Sequence, residues 1–261
     1  MKYGFIGCGN MGGALASAMS KLTNDILLSD SGSGRAAELA KKIGAKSGTS
    51  ADAASCDRVF LAVKPQDMKT AIASVADELH RAKPVVISMA AGLTIGEIEN
   101  MIGEKLPVIR IMPNTPVQVG CGMILVCASG AVTEDVLSDF LADLAPAGTV
   151  DVIPEKLIDA ASAVAGCGPA FAYMMIDALA DGGVACGLPR KKAIEYAAAM
   201  LAGSAEMVLG TGRHPDALKD DVCSPGGSTI AGVRALEEGG FRASVIDAVI
   251  ASFEKNRELG K

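Results

Sequence analysis

The chain has little of what metal, disulfide or nucleic-acid chemistry needs. It holds two histidines, neither beside a cysteine or carboxylate cluster at ligand spacing, so no metal site is expected. His214 precedes Pro215 in a turn, and His80 stands among Glu78, Arg81 and Lys83 on an exposed helix end. The seven cysteines (Cys8, Cys56, Cys121, Cys127, Cys167, Cys186, Cys223) include no CxxC pair and are odd in number. That excludes a disulfide framework and points to a reducing cytoplasm. Basic excess is missing too: 24 Lys and Arg face 30 Asp and Glu, for a net charge of -6. Neither nucleic acid nor an anionic membrane surface suits such a balance. The N-terminus carries no signal-peptide pattern, and the uncharged stretch between Asp159 and Asp177 is interrupted by Gly166, Gly168 and Pro169. No membrane partner is expected. These absences leave a soluble protein that works on small molecules.

What is present is a chain of 261 residues, 50% of them apolar, enough for two modest domains with cores. A short apolar strand opens it, followed by glycines at 7, 9 and 12 and a helix of small residues. In that context GxGxxG has a mechanism. Gly7 permits the turn, Gly9 lets backbone approach a pyrophosphate, and Gly12 lets helix and strand pack closely. A second strand at 25–30 ends in Asp30, where dinucleotide folds place the group that meets the adenosine ribose. Ser31, Gly32, Ser33, Gly34 and Arg35 follow, and their hydroxyls and guanidinium suit a phosphate.

The alternation continues with helices at 35–43, 66–79 and 94–101 and strands at 58–63, 84–89 and 107–112. It predicts a parallel sheet covered on both faces, with ligands at the strands' carboxyl ends. Those ends carry Ala62, Val63, Lys64 and Pro65, then Met89, Ala90 and Ala91, then Asn114 between Pro113 and Pro116. Apolar runs at 122–127 and 148–152 finish the sheet.

After Pro154 the period becomes purely helical, with stripes such as Phe171, Met174, Met175, Ala178 and Leu179. The expected fold class is therefore α/β: a Rossmann-type doubly wound domain at 1–155, then an all-α domain at 156–261. Helices apolar on more than one side, as at Val245, Ile246, Val249 and Ile250, need a partner surface, which predicts a homodimer or larger homo-oligomer. Near the end, "CSPGGST" gives a second glycine-rich loop before a helix, with Ser228 or Thr229 as its expected cap. Backbone N–H groups and two hydroxyls there suit a small anion.

"GFIGCGNMGGA", "FLAVKPQDM", "SMAAGLTIGEIE", "RIMPNTP", "AGCGPAFAYMMIDALADGGVACGLPR" and "LKDDVCSPGGSTIAGVRALEEGGFRASVIDAV" together resemble the successive motifs of the pyrroline-5-carboxylate reductase family. The resemblance implies reduction of the C=N bond of 1-pyrroline-5-carboxylate to proline by NADPH, with NADH also accepted. It implies dimers that assemble to a decamer. By position it places the dinucleotide on Ile6, Gly7, Cys8, Gly9, Asn10 and Met11, on Ala62, Val63, Lys64 and Pro65, and on Met89, Ala90 and Ala91. Gly12, Asp30, Ser31, Arg35 and Asn114 complete that site from the reading of the glycine turn and the strand ends above. It places the substrate on Gly226, Gly227, Ser228 and Thr229, with Thr229 as the catalytic hydroxyl at the imine. The chain departs from the family pattern at 165–171, where Ala165, Cys167 and Phe171 stand for two serines and a tyrosine. Two rival readings share the domain order: a β-hydroxyacid dehydrogenase, which would need a catalytic lysine where only Lys191 and Lys192 stand, and a nicotinamide-binding sensor without turnover.

Overall fold

The computed structural model describes residues 2–259. Its strands and helices alternate as β1 (Tyr3–Ile6), α1 (Asn10–Met19), β2 (Ile26–Ser29), α2 (Arg35–Ile43), β3 (Lys46–Ser47), α3 (Ser50–Ala54) and β4 (Arg58–Leu61). Then come α4 (Met68–Ala73), α5 (Ala76–Ala82), β5 (Val85–Ser88), α6 (Ile95–Ile102), β6 (Val108–Met112), β7 (Gly122–Ala128), α7 (Glu134–Leu144) and β8 (Gly148–Val152). Helices follow: α8 (Ile158–Ala165), α9 (Gly168–Ala185), α10 (Arg190–Thr211), α11 (Pro215–Val222), α12 (Ser228–Glu238) and α13 (Phe241–Leu259).

The sheet runs β3-β2-β1-β4-β5-β6-β7-β8. The first six strands are parallel, β7 is antiparallel to β6, and β8 is parallel to β7. The expected all-parallel sheet thus gives way at one edge. Between β6 and β7 lies only a short 3-10 turn, Thr115–Val119, and a parallel return needs a longer crossover. The single helix expected over 66–79 is also divided. Val75 leaves helical angles at φ -134° and is buried, so the chain bends to place it in the core.

Side chains alternate across the sheet and feed two cores. Phe5 and Phe60 lie stacked with ring centroids 4.2 Å apart on one face, beside Leu15, Met19 and Phe140. Ile6, Val59 and Leu61 face the other, against Ile72, Leu79 and Ile98. At the amino end of the sheet the buried Arg58 pairs with Asp143 of α7, which also accepts a hydrogen bond from the Tyr3 hydroxyl at 2.6 Å. Arg110, equally buried on β6, pairs with Glu155 at 3.3 Å and Asp159 at 3.1 Å.

Two compact units result. One holds the sheet and its helices up to Cys167 together with the chain from Ser252; the other is Gly168–Ala251. The change of period near 155 and the division between units do not coincide. Helix α8 buries Ile158 in the core beneath β7, and Asn256 near the C-terminus donates to the Asp159 carbonyl at 3.2 Å. By length and composition Glu155–Ala185 would suit a membrane crossing, at a mean hydropathy of 1.4, yet Gly166 and Cys167 divide it into α8 and α9. Within the second unit α9 and α10 pack so closely that a Cβ on Gly183 would lie 3.1 Å from that of Ala193. Much of the unit's apolar surface is bare: Met174 is 72% exposed, Leu209 77% and Ile246 57%.

Candidate functional site

In the first unit the chain crosses from β1 to α1 through the glycine turn. Gly7 adopts φ +105°, and a Cβ there would meet the Ala62 carbonyl oxygen at 2.5 Å. A Cβ on Gly12 would meet the Gly7 oxygen at 2.5 Å and the Ala62 Cβ at 2.8 Å. These two glycines join β1, α1 and the end of β4. Gly9 differs: nothing lies within 4 Å of its Cβ position, although its φ of -70° would accept any residue. Its missing side chain keeps open space open, which is what a pyrophosphate lying against backbone requires.

That space is a cleft of about 730 Å³ at the carboxyl ends of β1, β2 and β4, where the strand order reverses direction, the place at which doubly wound sheets hold ligands. Ile6, Gly7, Cys8, Gly9, Asp30, Ser31, Arg35, Ala62, Val63 and Lys64 line it, so ten of the expected positions come together. Part of its lining is one that sequence reasoning missed: Gln66, Asp67, Thr70 and Ser74, together with Ser33 and Ser50. The signal was a polar face at helical spacing directly after the AVKP loop. Ser50 is joined to the β2 end, its hydroxyl 3.4 Å from that of Ser29.

Other expected positions stand elsewhere. Cys8 turns inward, its Sγ 3.5 Å from the Ser29 carbonyl, and burial, followed by the nearby Asp30 charge, pushes its thiol up to about 11. It can serve a ligand only through backbone. Asn10 is exposed, Met11 half-buried and Gly12 packed against Gly7. Pro65, Met89, Ala90, Ala91 and Asn114 are not among the cleft lining. Ala90 is buried. Asn114 is held by the protein itself: its Nδ2 donates to the Ala165 carbonyl at 2.9 Å and its Oδ1 accepts from the Met123 N–H at 2.9 Å.

Asp30 is the most heavily hydrogen-bonded carboxylate of the cleft. Its Oδ1 accepts from the Gly32 N–H at 2.8 Å, and its Oδ2 from the Ser33 hydroxyl at 3.0 Å and the Ala36 N–H at 2.7 Å. The Ala36 N–H is the largest cause holding its carboxyl below the usual range, while partial burial acts the other way.

In the second unit, Ser224 to Gly227 close a tight turn in which the Gly227 N–H donates to the Ser224 carbonyl at 3.0 Å. Pro225 followed by Gly226 at φ +68° fits a type II turn. Gly227, not Ser228 or Thr229, is the N-cap of α12, and no side chain caps it. The expected cap therefore moves one or two residues earlier, because the turn delivers Gly227 already extended at ψ 169°. Both hydroxyls then sit in the first helical turn, where the N–H groups of Ser228, Thr229 and Ile230 have no helical acceptor. The loop is braced on both sides. Arg242 bonds Glu237 at 2.6 Å and Asp216 at 3.0 Å, tying the ends of α12 and α13 to the start of α11. Arg213 pairs with Asp221 at 2.6 Å. This accounts for the "EEGGFR" segment as scaffold. Among the described residues no group of His, Cys, Asp and Glu could hold a metal ion.

Two family models match: pyrroline-5-carboxylate reductase dimerisation over residues 155–259, and NADP oxidoreductase, coenzyme F420-dependent, over residues 2–92. The pyrroline-5-carboxylate reductase of Escherichia coli (strain K12) is 41% identical over 266 residues, covering 100% of this chain and 98% of that protein. The crystal structure of Plasmodium falciparum pyrroline carboxylate reductase with NADP bound superposes with a TM-score of 0.90 at 31% identity, covering 100% of this chain and 98% of the other. A 1-pyrroline-5-carboxylate reductase from Streptococcus pyogenes gives 0.90 at 31%, covering 99% and 98%.

Proposed function

The chain belongs to the pyrroline-5-carboxylate reductase family, and from that premise we propose how its own residues carry out the NAD(P)H-dependent reduction of 1-pyrroline-5-carboxylate to proline. The reading rests on the open space over Gly9 in a cleft at the sheet's point of reversal. Its residues fit a dinucleotide: backbone of Gly7, Cys8 and Gly9 for the pyrophosphate, the loop from Asp30 to Arg35 for the adenosine end, and Ala62, Val63 and Lys64 as the wall. Met89, Ala91 and the backbone of Ala90 extend it along the same sheet edge. When bound, the reduced nicotinamide supplies the hydride.

The second unit holds the substrate carboxylate on the N–H groups after the Ser224–Gly227 turn and on the hydroxyls of Ser228 and Thr229. Bonds to a charged group contribute about 1.5–3 kcal/mol each, against about 0.3–1 for the helix field, so the donors decide recognition. Thr229 is the hydroxyl assigned to the imine nitrogen. A protonated imine is already a good electrophile, so positioning carries much of the rate and a buried His or Lys acid is not required.

The bare apolar faces of the second unit are covered by another copy of the chain, as the match to a dimerisation model supports, and the resemblance extends this to a decamer; the net charge of -6 supports the absence of a membrane partner. The seven thiols are unpaired, which supports a cytoplasmic site of action.

The test is loss of reduced-nicotinamide absorbance with pyrroline-5-carboxylate, run with NADPH and NADH. Turnover is expected with both. Thr229→Val should lower kcat and kcat/KM together by about tenfold or more while dinucleotide affinity holds. Unchanged turnover removes Thr229 from the reaction, and binding without turnover by the unaltered chain would leave the sensor reading.

A further inference from the structure

The loop after β2 carries two signals of opposite sense. A carboxylate at the end of the second strand of a dinucleotide fold accepts from a free ribose 2′-hydroxyl and repels a 2′-phosphate. Serines and an arginine directly after it attract one. Geometry resolves the conflict. Asp30 has three donors on its two oxygens, the Gly32 N–H at 2.8 Å, the Ser33 hydroxyl at 3.0 Å and the Ala36 N–H at 2.7 Å, all within six residues of it. A carboxylate offers about four acceptor positions, so little is left for a ribose. One of the three donors belongs to the first turn of α2, whose positive end offsets the carboxylate charge. Gly34, the N-cap residue, supplies no side chain for that role, and Asp30 takes its place from outside the helix.

With its carboxylate so engaged, the loop leaves two groups for a ligand. Ser31 and Arg35 are exposed and line the cleft. Among the described residues no carboxylate lies within ion-pair distance of Arg35, although the chain forms many such pairs elsewhere.

We propose that Asp30 is a positioning residue that folds residues 31–36 around its carboxylate, so that Ser31 and Arg35 form a receptor for the 2′-phosphate and NADPH is the preferred coenzyme. The proposal rests on the dinucleotide reading of the cleft. It reverses the role an acidic residue has at this place: Asp30 selects for the phosphate by shaping the loop, and not against it by charge.

The experiment is calorimetric titration with two fragments, adenosine 2′,5′-bisphosphate and 5′-AMP, beside KM for NADPH and NADH. The unaltered protein should bind the bisphosphate about tenfold or more tighter than AMP. Asp30→Ala should abolish most of that preference, lowering bisphosphate affinity far more than AMP affinity and raising KM for NADPH far more than for NADH. Asp30→Asn, which retains one acceptor, should lie between. In an Arg35→Ala background the loss from Asp30→Ala should largely vanish, because Asp30 acts through that side chain. A loss of AMP affinity by Asp30→Ala as large as the loss of bisphosphate affinity, or tighter bisphosphate binding, would overturn the proposal and restore the carboxylate as a ribose reader. Failure of the unaltered protein to bind either fragment would instead overturn the reading of the cleft.

Discussion

Asn114 Nδ2 donates to the carbonyl oxygen of Ala165 at 2.9 Å, while its Oδ1 accepts from the Met123 N–H at 2.9 Å. One side chain, 8% exposed, thus joins the end of β6, the start of β7 and the last residue of α8. Asn114→Ala leaves a donor and an acceptor without partners, which costs about 2–4 kcal/mol. Denaturant unfolding should show that loss, and KM for NADPH should move little if holding these elements is the residue's whole task. A large KM change at unchanged stability would return Asn114 to the cofactor site.

The three glycines of the first turn should separate into two kinds. Gly12→Ala places a Cβ 2.5 Å from the Gly7 oxygen and 2.8 Å from the Ala62 Cβ, a misfit worth about 1–3 kcal/mol of stability. Gly9→Ala meets nothing within 4 Å and should leave stability within about 0.5 kcal/mol. It should nonetheless raise KM for NADPH about tenfold, since the methyl group enters the space meant for the pyrophosphate. Thermal melts and kinetics on both variants check the contrast. Equal behaviour would show that Gly9 is only a turn residue.

How much of this was legible in the sequence follows from what period and residue type encode. Alternating apolar strands and amphipathic helices gave the order of elements, and the strand-glycine-helix context located the cleft. The reversal of β7 was hidden because an apolar strand has the same pattern in either direction; only the short link after Met112 decides it. Gln66, Thr70 and Ser74 were passed over because a polar helix face ordinarily meets solvent. The cap of α12 was misplaced because Ser and Thr suit both a cap and a first turn, and the Pro225-Gly226 turn settles which. The orientation of Asp30 depends on donors two to six residues away, so its residue type alone pointed to a ribose.

Assembly should be obligatory for the second unit. Met174, Leu209 and Ile246 are more than half exposed, and apolar surface left bare to that extent marks an interaction surface. Light scattering at micromolar concentration should find no monomer. Met174→Glu together with Ile246→Glu should shift the protein toward smaller species or aggregates, while nucleotide binding to the first unit persists. An active, monodisperse monomer would show that these faces stay bare.

The last expectation concerns acid. Asp30 titrates below the usual carboxylate value, first because the Ala36 N–H donates to it, then through the Gly32 N–H and the Ser33 hydroxyl, with partial burial opposing them. A carboxyl whose folded value is depressed contributes stability above its unfolded value of about 3.9 and loses it as pH falls through the folded value. The contribution is therefore complete at neutral pH and constant down to the region of the unfolded value. Denaturation midpoints of the unaltered protein and Asp30→Asn should differ by a fixed amount near neutrality and mild acidity, and converge only below about pH 3.9. Convergence at a higher pH would mean that Asp30 takes up its proton earlier than these three donors allow, and a gap that persists in strong acid would mean that the loop needs the oxygen atoms but not their charge.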